Sequence, residues 1–434
     1  MAEGNWSAQT APGPSQKSEL PLSGQRIVIY GMNYAPEIAG VGKYTGEIAG
    51  HFAAAGADVH VVTTPPHYPG WRVQEGYKNS FSKSREENVH VNRTPLLLRR
   101  KMKGIWRLLA PLSFAVSSAP VVFWKIITLR PQTVFCVEPT LFAAPVAQLA
   151  SWIVGARTLL HVQDLEVDAA FAMGHLNRSK LLQRLGTAFE RSVLKRFNHV
   201  ITISGKMADK LVEKGCSGKR ITLVRNWVDL DHIFPLAGEN AYRTQLDLFT
   251  HDYVVLYSGN IGAKQGLDIL LEAAKKLESN ARIKFIIAGE GPVKLDLIEK
   301  YGNLNNVRFL PFQPHQKLNE FLNCADLHAL MQEKGAADLV LPSKLGAMLA
   351  TGKQIVVTAD SGTELYEFLG DAAVFVQTGD VEALVNAITA LQEGRLPHYP
   401  EKIKKLAFTL AKDAALSQLV RLQNQTLDAQ GALP

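Results

Sequence analysis

The strongest constraint in this sequence is a recurring unit: a short apolar run, a glycine-bearing loop, then a segment of helical period. Arg26–Tyr30 leads into Ala39-Gly40-Val41-Gly42, a helical pattern carries Tyr44, Ile48, Ala49 and Phe52 as far as Gly56, and Asp58–Thr63 is again strand-like. Strand, loop, helix, strand is a βαβ unit, which implies a parallel sheet with right-handed crossovers. The apolar runs are nearly continuous, as expected of strands covered on both faces. They recur at 133–137, 157–161 and 199–203, then in a second series at 253–257, 283–288, 307–310, 325–330, 354–358 and 373–376. A chain of 434 residues is also too long for one ordinary core. The expected class is therefore α/β, with two doubly wound, Rossmann-like domains facing a cleft. Residues 1–23, rich in Pro, Ser, Gln and Gly, read as a disordered tail. The N-terminal domain is expected over 24–229 and the C-terminal domain over 230–405. A last helix, 406–434, is expected to return to the N-terminal domain.

Composition narrows the partners. Lys and Arg total 47 against 40 acids, a net charge of +7. That excess suits phosphates, nucleotides or an acidic membrane surface, and no nucleic acid is expected. Cys136, Cys216 and Cys324 are odd in number and widely spaced, so neither a disulfide framework nor a zinc motif is expected. Leu108 to Trp124 is interrupted by Pro111 and Pro120, and Leu141 to Gly155 falls short of the roughly 20 residues a span needs. Neither is expected to cross a membrane. The segment Leu96 to Lys125 mixes Arg99, Arg100, Lys101, Lys103 and Arg107 with Leu, Ile, Trp and Phe. It suits docking on an anionic membrane surface, or else forms a crossover helix with a solvated basic end. A cytoplasmic protein, peripheral on the inner face of the cell membrane, is the resulting expectation.

In open α/β sheets ligands sit beyond the carboxyl ends of the strands, so the loops there are the places to look. Gly40 and Gly42 open a helix whose first N–H groups can meet an anion. Ser258-Gly259-Asn260-Ile-Gly262-Ala-Lys264-Gln-Gly266 adds a lysine able to neutralise a diphosphate. Asp338-Leu-Val-Leu-Pro342-Ser343-Lys344 offers a hydroxyl, a second lysine and a helix start, and Glu364 follows Ser361-Gly-Thr. Glu364 either meets a ligand hydroxyl or completes a helix cap. The N-terminal half offers His161-Val-Gln-Asp164-Leu-Glu166-Val-Asp168 at a strand end, able to orient an acceptor hydroxyl or stabilise charge on a sugar. Helix capping by Asp164 or Asp168 is the alternative. His67, Tyr68 and Trp71 lie on a proline-rich loop suited to stacking on a sugar, or to plain surface packing.

As a set, Gly40-Val-Gly42, Ile201-Thr-Ile-Ser204, Val224–Asp229, Ser258-Gly-Asn with Lys264 and Gly266, Ala288-Gly-Glu-Gly291, Pro342-Ser-Lys344 and Gly352-Lys353 resemble glycosyltransferase family 4. Tyr34–Tyr44, His67–Trp71, His161–Asp164 and Leu341–Leu345 look like the colanic-acid-type exopolysaccharide fucosyltransferases. The resemblance covers about Arg26 to Leu422 and implies a GT-B fold and a retaining transfer without a metal or a resident cofactor. It implies a GDP- or UDP-linked sugar donor and a polyprenyl-diphosphate-linked saccharide acceptor. By the same resemblance Gly42, Gly259, Asn260, Lys264, Asp338, Ser343, Lys344 and Glu364 are donor-binding. His161 and Asp164 become the catalytic candidates, and His67, Tyr68 and Trp71 lie on the acceptor side. Two departures stand out: Asn260 occupies a position usually held by arginine, and Gly346 one usually held by a glutamate that binds the ribose. Glu333 or Glu364 is the expected substitute. The missing carboxylate also leaves room for a non-catalytic, nucleotide-binding scaffold.

Overall fold

The computed structural model describes residues 20–37, 40–99, 106–165, 180–333 and 339–431. The first sheet contains β1 (Arg26–Tyr30), β2 (Asp58–Thr63), β3 (Ser82–Glu86), β4 (Val89–Arg93), β5 (Thr133–Glu138), β6 (Arg157–Val162), β7 (His199–Thr202) and β8 (Ile221–Leu223). Their order is β3-β4-β2-β1-β5-β6-β7-β8, all parallel except β3. The second holds β9 (Tyr253–Ser258), β10 (Ile283–Ala288), β11 (Val307–Leu310), β12 (Leu327–Leu330), β13 (Gln354–Thr358) and β14 (Val374–Val376), in the order β11-β10-β9-β12-β13-β14. Each sheet is thus wound outward twice from a central strand. The winding reverses between β1 and β5 in one sheet and between β9 and β12 in the other, and these reversals open the ligand crevices of such sheets.

The buried strand residues explain the long apolar runs. β5 and β6 are buried along their whole length, with a helical layer on either side. The helix Trp106–Leu129 runs 24 residues, straight through both prolines. Ala110, Phe114, Ser118, Val122 and Ile126, one every four residues, are fully buried. Its Leu109–Leu129 part is, by length and composition, long and apolar enough to cross a membrane, a property the prolines had argued against. The buried stripe packs into the N-terminal core, as an amphipathic crossover helix does.

The structure departs from the sequence expectations at three boundaries. The chain is already folded at residues 20–23, where Leu22 is fully buried and its N–H donates to Ala55 O at 2.9 Å. β3 and β4 form an unexpected hairpin at the sheet edge; β3 is wholly polar, a composition that protects an edge from pairing with another chain. The helix Pro400–Thr409 stays with the C-terminal core through Ile403 and Ala407. The chain crosses back only after Leu410, and the helix Lys412–Gly431 buries Leu416, Leu419, Val420 and Leu422 among N-terminal core residues.

Truncating one of these contacts tests the docking. Leu419→Ala is expected to cost about 2–5 kcal/mol in urea unfolding, the usual range for a buried leucine. Unchanged stability would show that this helix does not hold the N-terminal core.

Candidate functional site

The C-terminal crevice is built from three loops. Gly259 follows β9 with φ 145°, a conformation suited to glycine, and a methyl group there would lie 3.3 Å from Lys344 Cδ. The loop after β10 packs so closely that a methyl group on Gly289 would meet Gly259 O at 1.8 Å. Across the reversal point, the loop after β12 joins the first: Glu333 N–H donates to Lys264 O at 3.0 Å. Glu333 Oε1 lies 3.3 Å from where a Gly266 side chain would begin. Lys264, Glu333, Asn260 and Ser343 are all exposed. Asp338 lies outside the described residues.

Lys344 is the exceptional group. Its ammonium is sealed from solvent, although the residue as a whole is only partly buried, and it has no hydrogen-bond partner among the described residues. It sits 3.8 Å from the centre of the Tyr257 ring, and Tyr257 is fully buried. Desolvation pushes its pKa down to about 7. A cation of this kind is costly in the protein alone and gains strongly from an anion.

The N-terminal loops have the opposite charge. Glu37 is buried beneath the helix Val41–Ala54 and accepts from Asn33 Nδ2 at 2.9 Å, His67 N at 3.0 Å and Tyr68 N at 2.9 Å. A methyl group on Gly42 would meet Glu37 Oε2 at 2.3 Å. Gly42 is therefore needed to seat this carboxylate, whatever else approaches it. Arg93, at the end of β4, ties the neighbouring loops by donating to Thr64 O at 2.9 Å and Ala35 O at 2.8 Å. Gly40 is the N-cap of this helix and makes no side-chain cap hydrogen bond. The nearby Glu37 charge offsets the helix's positive end. This loop is a weaker anion site than the one around Lys344.

The expected residues fall into distinct places. His67 is 1% exposed and its Nδ1 faces Thr64 Oγ1 at 3.1 Å and Pro65 O at 3.0 Å, so it braces the loop and does not present a ring to an acceptor. Tyr68 is exposed beside Gly40, and the half-buried Trp71 ring lies 5.6 Å from that of His67. His161 is also buried, and desolvation pushes its pKa down to about 4, leaving a neutral imidazole. It reaches the cleft only indirectly: Gln163 Nε2 lies 3.3 Å from its Nε2, and Asn226 Nδ2 donates to Gln163 Oε1 at 2.9 Å. Asn226, Trp227, Ser343 and Gly346 line a small cavity between the domains. Asp164 is exposed beyond the end of β6, while Glu166 and Asp168 lie outside the described residues.

Two expectations about carboxylates change. Glu364 accepts from Gly205 N at 3.2 Å, from Lys206 N at 3.0 Å and from Arg225, all in the N-terminal domain. Burial alone would raise its pKa, yet the hydrogen bonds from Lys206 and Arg225 hold it below the usual carboxylate value. It clasps the domains together, with both of its oxygens engaged by the N-terminal domain. Gly346 is buried, and a side chain there would begin 3.0 Å from Val228 Cβ. Gly346 thus packs tightly at the domain junction while also lining the small cavity with Asn226 and Ser343. Glu333, beside Gly266, is the carboxylate placed at the crevice. Glu37, Arg93 and Arg225 were missed because their partners are far away in sequence.

Comparisons with known proteins agree with this architecture. Residues 39–227 match the Glycosyl transferase 4-like domain family, and residues 239–408 match the Glycosyl transferases group 1 family. Over 407 residues the chain is 40% identical to WcaI of Escherichia coli (strain K12), named as a colanic acid biosynthesis glycosyl transferase; the match covers 91% of this chain and 98% of that protein. Sucrose-phosphate synthase from Thermosynechococcus elongatus aligns with a TM-score of 0.70 at 16% identity, over 93% of this chain and 100% of the other. HepE of Anabaena, in complex with UDP and glucose, aligns with a TM-score of 0.63 at 15% identity, over 92% and 100%.

The buried cation makes a prediction about pH. Because the Lys344 pKa is depressed in the fold, the charged form carries a penalty that is complete below pH 7 and disappears as pH rises towards 10.5. Lys344→Met is expected to stabilise the ligand-free chain at pH 6 by at least ~1 kcal/mol. The gain should shrink between pH 7 and 10, followed by urea unfolding at several pH values. A pH-independent difference would contradict the assignment.

Proposed function

The chain belongs to glycosyltransferase family 4 and has its GT-B fold, and on that premise we propose that it moves a sugar from a nucleoside-diphosphate donor to a lipid-linked saccharide in exopolysaccharide assembly. The observation that carries the donor site is the buried ammonium of Lys344 beneath the Gly259 loop; it lies over the Tyr257 ring and has no hydrogen-bond partner among the described residues. In this reading the donor diphosphate lies over Gly259 and between Lys344 and Lys264, with backbone N–H groups of the glycine loops completing the charge balance and no metal required. Glu333 takes the role first given to the glutamate missing at 346. Asp164, and Asn226 held by the His161–Gln163 pair, face the acceptor side. Configuration at the sugar is retained, by family resemblance. Fucose from GDP-fucose is the first choice of donor, on the likeness to colanic-acid-type enzymes, and a UDP-linked sugar is the second. The non-catalytic reading drew its support from Gly346; the tight packing of Gly346 against Val228 gives that glycine a structural reason of its own and favours the catalytic reading.

The acceptor half also suggests where a membrane would lie. The helices Trp106–Leu129 and Ala144–Val154 leave Val116 76%, Trp124 62%, Leu149 52%, Trp152 80% and Ile153 52% exposed. Arg99 stacks on Trp106 at 4.6 Å, near the start of the first of these helices. Arg100, Lys101 and Lys103 lie outside the described residues. An apolar face with basic residues at its border suits the anionic inner surface of a cell membrane, where a lipid-linked acceptor is found.

Three measurements test these proposals. Among GDP, UDP, ADP and dTDP, GDP is expected to give the largest rise in unfolding temperature, equivalent to about 2.7 kcal/mol at a hundredfold excess over Kd. With radiolabelled nucleotide sugars and a membrane extract, Lys344→Ala and Lys264→Ala are each expected to lose ~100-fold or more in transfer rate while remaining folded. Wild-type turnover in both variants would overturn the donor site. Val116→Glu with Trp152→Glu should reduce co-sedimentation with vesicles containing phosphatidylglycerol; undiminished binding would remove this face from the account.

A further inference from the structure

At the amino-terminal end of the first sheet, far along the strands from the cleft, three side chains converge that sugar transfer does not use. Asp58 and His60 are two apart on β2, so the pleat puts them on one face. His90 on β4 is the register partner of His60 and joins the same face. The two imidazoles are stacked, 4.6 Å between ring centres and 10° apart in plane. Asp58 Oδ1 lies 3.1 Å from His60 Nε2 and 3.9 Å from His90 Nε2, and no two of the three donor atoms are more than 4.8 Å apart.

The burial is uneven in an informative way. His60 is only 7% exposed; its Nε2 faces Asp58 Oδ1 at 3.1 Å, while its Nδ1 has no hydrogen-bond partner among the described residues. Leaving that buried nitrogen unpaired is unfavourable. His90 and Asp58 are open to solvent, with side chains 42% and 48% exposed, so an ion can enter and these two ligands can adjust. Ligands at about 2.0–2.2 Å from one ion lie up to roughly 4 Å apart. The two edges to Asp58 already meet that limit, and a rotation of His90 brings in the third.

We propose that Asp58, His60 and His90 form a binding site for a single divalent transition ion, zinc by its ligand chemistry, that staples β4 to β2. Two imidazoles and one carboxylate suit Zn²⁺, whereas Ca²⁺ and Mg²⁺ prefer all-oxygen shells. A fourth position remains open to water. Lys125 on the Trp106–Leu129 helix, with Lys83 beside it, brings positive charge to the cluster. That charge weakens binding and sets the affinity below that of a four-ligand site.

The full chain, stripped with EDTA, would be titrated with Zn²⁺ against a chromogenic chelator, with Co²⁺ absorption as a second readout. Wild type is expected to bind one ion at this cluster, with a rise in unfolding temperature on adding Zn²⁺. His90→Ala and Asp58→Asn, both at exposed positions, should each weaken that binding at least ~10-fold and lose the thermal rise. Lys125→Met should tighten it. No binding by wild type at micromolar zinc would overturn the proposal, as would equal affinity in both ligand variants.

Discussion

The two segments that cross between the domains are hydrogen-bonded to each other. Val228 N donates to Leu410 O at 2.8 Å and Lys412 N donates to Val228 O at 2.9 Å, forming a bridge between Val228 and Ala411. Everything that faces the cleft depends on this pairing, because it fixes the hinge about which the two sheets present their carboxyl ends. Gly346 is small so that the hinge can pack against it. Further out, Glu364 takes the N–H groups at the start of the helix Gly205–Glu213 together with Arg225, and Ser204 donates to Leu339 O. Leu339 and Val340 also pack against the N-terminal core, so the domains meet through backbone, charge and apolar contacts together.

Within that frame the two halves differ in electrical character. The N-terminal loops are organised around a buried carboxylate, Glu37, whose partners are all supplied by the protein. The C-terminal loops are organised around a buried ammonium, Lys344, which has no hydrogen-bond partner among the described residues. A satisfied charge holds loops in place, and an unsatisfied one calls for a ligand. That asymmetry is the physical reason to place a diphosphate on the C-terminal side. In that proposal the helix that starts at Val41 faces the same site from across the cleft.

Much of the fold could be read from the sequence, because buried parallel strands are long apolar runs punctuated by glycine. β1, β2, β10, β11 and β13 have the limits that the apolar runs suggest. β3 could not be read that way: Ser-Lys-Ser-Arg-Glu has no apolar period, since an exposed edge strand needs none. The lysine loops were legible for a related reason, as loop glycines and lysines keep their meaning locally. Glu364, Glu37 and Arg93 were not, because each acts on residues tens to more than a hundred positions away. His67 reads from the sequence as a loop residue and His161 as the end of a strand, but only the fold shows that both are buried. His60 and His90 carry no sequence signal until β4 pairs with β2.

The central claim is that burial depresses the Lys344 pKa and that pairing with a donor diphosphate raises it again. Calorimetric titration of GDP or UDP at pH 8, repeated in buffers of different ionisation enthalpy, counts the protons taken up on binding. With a free pKa of about 7, Lys344 is mostly neutral there, and pairing with phosphate should draw in close to one proton per nucleotide. The uptake should be absent in Lys344→Met. Binding with no proton uptake by the wild-type chain, or the same uptake in the variant, would contradict the account.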